Sequence, residues 1–433
     1  MKNFGKNFNL FLAGSSLGAV ATTCIRFAVA WHAVQHTGSA VVFAGMIAAS
    51  SLVEVYCKPF LSPLGDYFNR LLVYRICIGM AAIVALALLG AVVLLPFSAV
   101  LLSGLLMVLS LVAGLREPTA AGLVPSLVEP KDLTGAQALR STVSSSIGLG
   151  GSMLGGLIVA VAGVPTALGA AVLLSILGLA GASKIHPAGE SPGAPNGTLH
   201  TYLRTWHHRT LDGMRAVWLT GAERTTALAA ALINIAVVPL TAIIAPVWVA
   251  KTLNGTPKLI AAIEAGLAVG VVLGSSFVTG WANDRLGRFA TMIIGTALMG
   301  CAVFTASLLT SPVEIVACMV VAGAGFTTFA INASTLRAAA TPASFRTRLA
   351  GGVGFLSCCA YPITSQGFGF VIERSGAAFA VGLCGICILL AAAVQLFNRD
   401  ARRLLGQETD QIVGAYEALY PSAFADRRQA AHA

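Results

Sequence analysis

Six ionisable side chains stand inside long apolar runs: Arg26, Glu54, Lys58, Arg116, Glu117 and Glu264. On insertion scales such a group costs at least about 2.5–3.5 kcal/mol at bilayer depth, so it usually faces a cavity and has a job there. Glu54 and Lys58 are one helical turn apart and can neutralise each other along one helix. Glu54 can equally pair with Arg116, whose depth in the fourth apolar run is similar. Taking up a proton would then free the arginine, which is a step that can couple proton movement to a change of shape. Arg26 is placed to face a bound molecule or to pair with Glu117. Glu264, about two turns in from the outer surface, is expected to face a cavity. The six charges cancel, three basic against three acidic, and leave the sign of any bound molecule open.

Other chemistry finds little support. No nucleophile–base pair and no metal-ligand cluster is visible, so an enzyme, a cofactor and a metal are all excluded from the expectation. No Gly-x-x-x-x-Gly-Lys-Ser/Thr phosphate loop occurs, which removes ATP as a direct driver. The nine cysteines lie in apolar runs and read as small apolar side chains, Cys384 and Cys387 included despite their CxxC spacing. His32 and His36 sit at the mouth of the first run and read as interfacial residues. His207 and His208 read as surface charge.

These side chains are carried by a chain of 433 residues that is 57% hydrophobic and only 10% charged. A soluble globular protein carries about 25% charged residues. With so little polar surface, apolar side chains must face lipid. Apolar runs occupy 8–33, 40–63, 72–95, 97–125, 136–163, 165–183, 225–250, 259–281, 289–309, 312–336, 349–372 and 376–397. Each is near the ~20 residues that span a bilayer core as a helix, and helices satisfy their own backbone hydrogen bonds there. The expected class is an all-α polytopic membrane protein of twelve transmembrane helices in two six-helix, pseudo-symmetric halves. Lys251, Lys258 and Arg374 fall on one side of the membrane, Arg26, Lys58 and Arg116 within spans, and every other Lys and Arg on the opposite side. That bias predicts that both termini are cytoplasmic, and the expected location is a bacterial-type inner (plasma) membrane. The scattered basic residues are orientation charges, so nucleic acid is not an expected partner despite the net charge of +10.

A polar stretch in the middle contains Gly189-Glu190-Ser191-Pro192-Gly193-Ala194-Pro195-Asn196-Gly197, a flexible-linker composition. The expected organisation is therefore 1–183, an N-terminal six-helix bundle; 184–222, a cytoplasmic linker; 223–397, a C-terminal six-helix bundle; and 398–433, a cytoplasmic tail. A repeat supports the two halves. Gly65-Asp66 with Arg70 follows the second span, and Gly280, Asp284, Arg285, Gly287 and Arg288 follow the eighth, the aspartates 218 residues apart. A weaker echo sets Pro130-Lys131-Asp132 against Pro342-Ala343-Ser344, 212 apart. Two echoes in one order mark a duplicated unit. In each copy an aspartate four residues before an arginine can clasp neighbouring helices. Asp66 with Arg70, and Asp284 with Arg288, are thus candidate gate latches.

At these residues the chain resembles the major facilitator superfamily, whose loop signature Gly-x-x-x-Asp-Arg-x-Gly-Arg is met in full by residues 280–288. In the first copy Ser62, Tyr67 and Asn69 replace the leading glycine, the first arginine and the second glycine. Thr37-Gly38-Ser39-Ala40 and the run Leu123-Val124-Pro125-Ser126-Leu127-Val128 look like the drug- and siderophore-exporter branch. So does Gly151-Ser152-Met153-Leu154-Gly155-Gly156, where serine stands for the branch's proline. Gly151, Gly155 and Gly156 would serve close helix packing. The family arginine on the fourth span matches Arg116, with Glu117-Pro118 where Gln-Gly is usual. The resemblance implies a monomeric secondary transporter with alternating access, exporting a small organic compound, a drug-like amphiphile or a siderophore, in exchange for protons. Uptake of a nutrient or organic anion by the same fold, or a lipid flippase, are the alternatives.

Overall fold

A computed structural model describes residues 4–37, 40–186, 199–253 and 257–424, and these are almost entirely helical, without a strand. Gly38-Ser39 of the first exit and the linker stretch 189–197 lie outside the described residues. The chain divides into two compact units. Unit 1 comprises Met1–Asp132, Ser146–Met214 and Ala343–Gly352; unit 2 comprises Leu133–Ser145, Arg215–Pro342 and Val353–Ala433.

The helices of unit 1 are α1 (Lys6–Thr37), α2 (Ala40–Tyr67), α3 (Arg70–Leu94), α4 (Ala99–Leu127), most of α5 (Leu133–Ser183) and most of α6 (Leu199–Leu219). α5 contains two spans in one run, bent at Gly163, whose φ of 82° is open to glycine but strained for other residues. The core of the unit is aliphatic, with Ile25, Val29, Leu88, Leu106, Leu109 and Leu168 buried. Ile83, Leu94, Val100 and Val161 are strongly exposed. Helices apolar on every face in this way belong in lipid. Within the expected linker 184–222, Leu199–Leu219 is helical. There Trp206 Nε1 donates to the Phe60 carbonyl at 2.7 Å and anchors the helix to α2.

Unit 2 continues with α7 (Gly221–Pro239), α8 (Ala245–Val247), α9 (Pro257–Leu273), α10 (Thr279–Leu286), α11 (Arg288–Ala306) and α12 (Pro312–Ala340). Then come α13 (Arg346–Cys358), which begins in unit 1, α14 (Tyr361–Ser375), α15 (Ala377–Leu396), and the short tail helices α16 (Arg399–Leu405), α17 (Ala415–Leu419) and α18 (Pro421–Phe424). Wider π-turns flank α8 at Leu240–Ile244 and Trp248–Thr252, close to Pro239 and Pro246, which lack the N–H for a regular bond. α12 packs on α9 and α11. Gly266 and Gly270 on α9, with Gly274 in the π-turn that follows it, form a stripe four residues apart. A Cβ on Gly266 would lie 2.9 Å from the Val316 carbonyl, and one on Gly274 2.9 Å from Ala324 Cα. Only glycine lets two backbones approach so closely in lipid.

Among the described residues nine helices are long and apolar enough to cross a membrane. The other three expected spans coincide with α2, with α5 before its bend, and with α13 and α14, interrupted at Cys359-Ala360. The duplicated echo has a structural counterpart. A 3-10 turn at Pro130–Asp132 leads into α5, and one at Ala343–Phe345 leads into α13.

Candidate functional site

The intramembrane charges of unit 1 form two ion pairs, and they are not the pairs expected. Glu54 on α2 is paired with Arg26 on α1, whose Nη2 also donates to Ser110 Oγ on α4 at 3.2 Å. Lys58 is paired with Glu117, so neither Glu54–Arg116 nor Arg26–Glu117 forms. The physical reason is the rotation of α4. A Cβ on Gly114 would lie 3.1 Å from the Glu54 carbonyl, so this face of α4 lies against α2. Arg116, two residues and about 200° further round, is carried away from Glu54. Its Nη1 instead lies 2.7 Å from the position of a Cβ on Gly18 of α1. Among the described residues Arg116 makes no ion pair or hydrogen bond. Glu264 is exposed on α9. It lies about 200° from Gly266 and so faces away from α12.

α5 closes on α1 beside these charges. A Cβ on Gly155 would stand 3.0 Å from Cys24 Cα, and one on Gly156 3.3 Å from the Phe27 ring. The surroundings of Gly151 fall outside the described residues.

The first loop copy is the more heavily bonded. Asp66, 1% exposed in its side chain, accepts from Arg70 Nη2 at 2.6 Å. It also accepts the backbone N–H groups of Thr347 at 3.0 Å and Arg348 at 2.7 Å, and Arg348 Nε at 3.4 Å. The two amides belong to the first turn of α13, where a carboxylate satisfies unpaired donors and the positive end of the helix dipole. Arg70 reaches the Ala343 carbonyl as well. Small residues make the approach possible: a Cβ on Gly65 would meet Thr347 Cγ2 at 2.5 Å and Thr119 Oγ1 at 2.8 Å. Arg346, three residues ahead of the eleventh span, completes the cluster. Burial, reinforced by Arg70 and opposed by Asp66, pushes its guanidinium down to about 10, still charged at neutral pH.

The second copy matches the family signature yet is open. Asp284 is exposed, and the expected Asp284–Arg288 pair does not form among the described residues. Arg288 donates instead to Thr409 Oγ1 of the tail at 2.7 Å, and Arg285 lies over the Trp281 ring at 5.6 Å. Gly280 borders open space. Gly287 explains one difference between the copies. Its φ of 81° needs glycine, whereas Asn69 at the matching place has φ −58° and uses its side chain to cap α3.

Sequence reasoning missed a third cluster. Glu223, fully buried at the start of α7, accepts from Arg337 Nε at 2.9 Å and from the Tyr416 hydroxyl at 3.0 Å. Burial and then Glu223 push the Tyr416 phenol well up, so it stays a donor. The Gly414 amide bonds the Ala339 carbonyl at 3.0 Å, and Asn398 bonds the Ala222 carbonyl at 3.1 Å. The polar tail is thus fastened to unit 2. The signal lay in Glu223, an acid at a helix start with no basic residue three or four positions on to pair with it. Removing one partner of a buried pair costs about 3–5 kcal/mol. Arg337→Ala is expected to cost about 3 kcal/mol, near the low end because Arg337 is 20% exposed. Thermal unfolding in detergent measures this, and an unchanged midpoint would contradict it.

No protein-family model and no curated relative matches the chain. Solved structures do. A bacterial homologue of the iron transporter ferroportin in an outward-facing state is 15% identical, with a TM-score of 0.70 over 91% of this chain and 99% of that one. The proton:xylose symporter XylE is 12% identical, with a TM-score of 0.71 over 96% and 98%. The human organic anion transporter TETRAN is 14% identical, with a TM-score of 0.68 over 91% and 100%. At these identities the likeness fixes architecture: this chain has the fold of the major facilitator superfamily.

Proposed function

We propose that the chain is a secondary transporter that works by alternating access, exporting a small organic compound in exchange for protons. The cargo class is a drug-like amphiphile or a siderophore. On this reading two halves, 1–183 and 223–397, rock across a bacterial-type inner membrane with both termini cytoplasmic, and the chain acts as a monomer. The observation that carries the reading is Glu54, a carboxylate at bilayer depth paired inside this fold with Arg26, which also donates to Ser110. Protonating Glu54 removes the charge that binds Arg26, so proton uptake and side-chain release are one event. Arg116 adds a guanidinium without a carboxylate partner among the described residues, suited to an acidic group on the cargo. The Asp66 cluster is the gate latch, because releasing Asp66 frees residues 343–352. The structurally similar proteins named above are a homologue of an iron transporter, a xylose symporter and an organic anion transporter, so fold alone does not select a cargo.

Proteoliposomes under an imposed pH gradient test the proposal, with a fluorescent amphiphile as cargo and a trapped pH dye. Cargo is expected to move against the proton flow, and Glu54→Gln to reduce that movement about tenfold or more, the range of one lost proton-transfer group. Wild-type gradient-driven flux in both Glu54→Gln and Glu264→Gln would refute proton coupling. Cargo moving together with protons would replace export by uptake.

A further inference from the structure

We infer that unit 2 carries a site for the phosphate of an anionic phospholipid, built between the first turn of α11 and the tail helix α16. A cavity of about 490 Å³ opens there, lined by Gly287, Arg288, Phe289, Ile293, Leu396 and Arg402 among others. Its layout follows the order of the helices. Arg288 is the first residue of α11 and Arg402 lies on α16, so the charged groups sit at the helix ends. Phe289 and Ile293 continue along α11, and Leu396 is the last residue of α15. A membrane-length helix places its first residue near the headgroups and its next turns against acyl chains.

The charges fit a phosphate diester. Thr409 holds Arg288 in place at 2.7 Å, and the Arg402 guanidinium has no ion pair or hydrogen bond among the described residues. Glu408 is near enough for its charge to act on Arg288, and the trio still carries a net positive charge. Arginine forks bind phosphate oxygens two at a time. Basic pockets between transmembrane helices are suited to acidic headgroups. The walls argue against a soluble anion. Leu286, Ile294 and Leu396 are 50%, 44% and 62% exposed beside the arginines, an apolar rim that a free phosphate leaves uncovered and an acyl chain covers. This site is separate from the transport residues of unit 1 and does not depend on them.

Native mass spectrometry of the full chain in detergent provides the test, with dioleoyl phosphatidylglycerol, dioleoyl phosphatidylcholine and inorganic phosphate as probes. Phosphatidylglycerol is expected to be retained about tenfold more than phosphatidylcholine, the factor expected of one charge-assisted phosphate contact. Arg402→Glu should abolish that preference, whereas Arg403→Glu, at the adjacent exposed arginine that does not line the cavity, should keep it. Arg402→Gln gives the same comparison should charge reversal disturb folding. Equal losses from positions 402 and 403 would mean diffuse attraction to basic residues and would overturn the site. So would equal retention of the two lipids, or displacement of phosphatidylglycerol by inorganic phosphate.

Discussion

Asp66→Ala is expected to unfasten residues 343–352 and to lower thermal stability by about 3–5 kcal/mol, the cost of leaving buried charges without their partner. The substitution removes four hydrogen bonds at once, three of them from the first turn of α13 and two of those from its backbone amides. It leaves Arg70, Arg346 and Arg348 together with no carboxylate between them. Asp66→Asn is the finer probe. It keeps the shape but presents an amide that matches the surrounding donors poorly, so it should fall between wild type and alanine. Maleimide labelling of a cysteine at Ser344 reads the release directly, and transport of the amphiphile reads its consequence. Two conformations of a transporter separated by a few kcal/mol would be redistributed by a loss of this size. Wild-type melting, labelling and transport in Asp66→Ala would leave Asp66 as an orientation charge and end its role as a latch.

The second large effect concerns Arg26 and Glu54. Arg26→Gln alone leaves Glu54 without its cation, and Glu54→Gln alone leaves Arg26 without its anion. Each single variant is expected to be less stable than wild type by about 3 kcal/mol, while the double variant recovers about 2 kcal/mol of that loss. Structure and coupling then separate. The double variant should melt close to wild type yet show no gradient-driven flux, because no titratable group remains at that place. A double variant that transports normally would make the pair purely structural. Additive losses in the cycle would mean that the two charges do not interact.

Much of the architecture is legible in the residues. Twelve apolar runs, the lopsided placement of Lys and Arg, and Asp66 and Asp284 at matching places in two halves point to a duplicated helical membrane protein. The short 3-10 turns before α5 and α13 reproduce the weaker echo at Pro130 and Pro342. The loop motif shows the limit of such matching. The copy that satisfies the signature is the open one, and the degenerate copy with Ser62 and Asn69 holds the bonded cluster. A signature counts residue types, whereas bonding depends on what folds against them, here the first turn of α13 some 280 positions away in the chain.

Composition and hydropathy alone determined that this chain lives in a bilayer, roughly how deep each charge lies, and about where its spans run. These follow from the solvation of one segment at a time, which each stretch of residues decides for itself. Only the tertiary structure decided the partners: Glu54 with Arg26 rather than Arg116, Lys58 with Glu117, Arg288 with Thr409, and Glu223 with Arg337 and Tyr416. Hydropathy sets depth along a helix but not rotation about its axis. Each residue turns the side chain by about 100°, so close packing such as that of Gly114 against α2 selects which charge meets which.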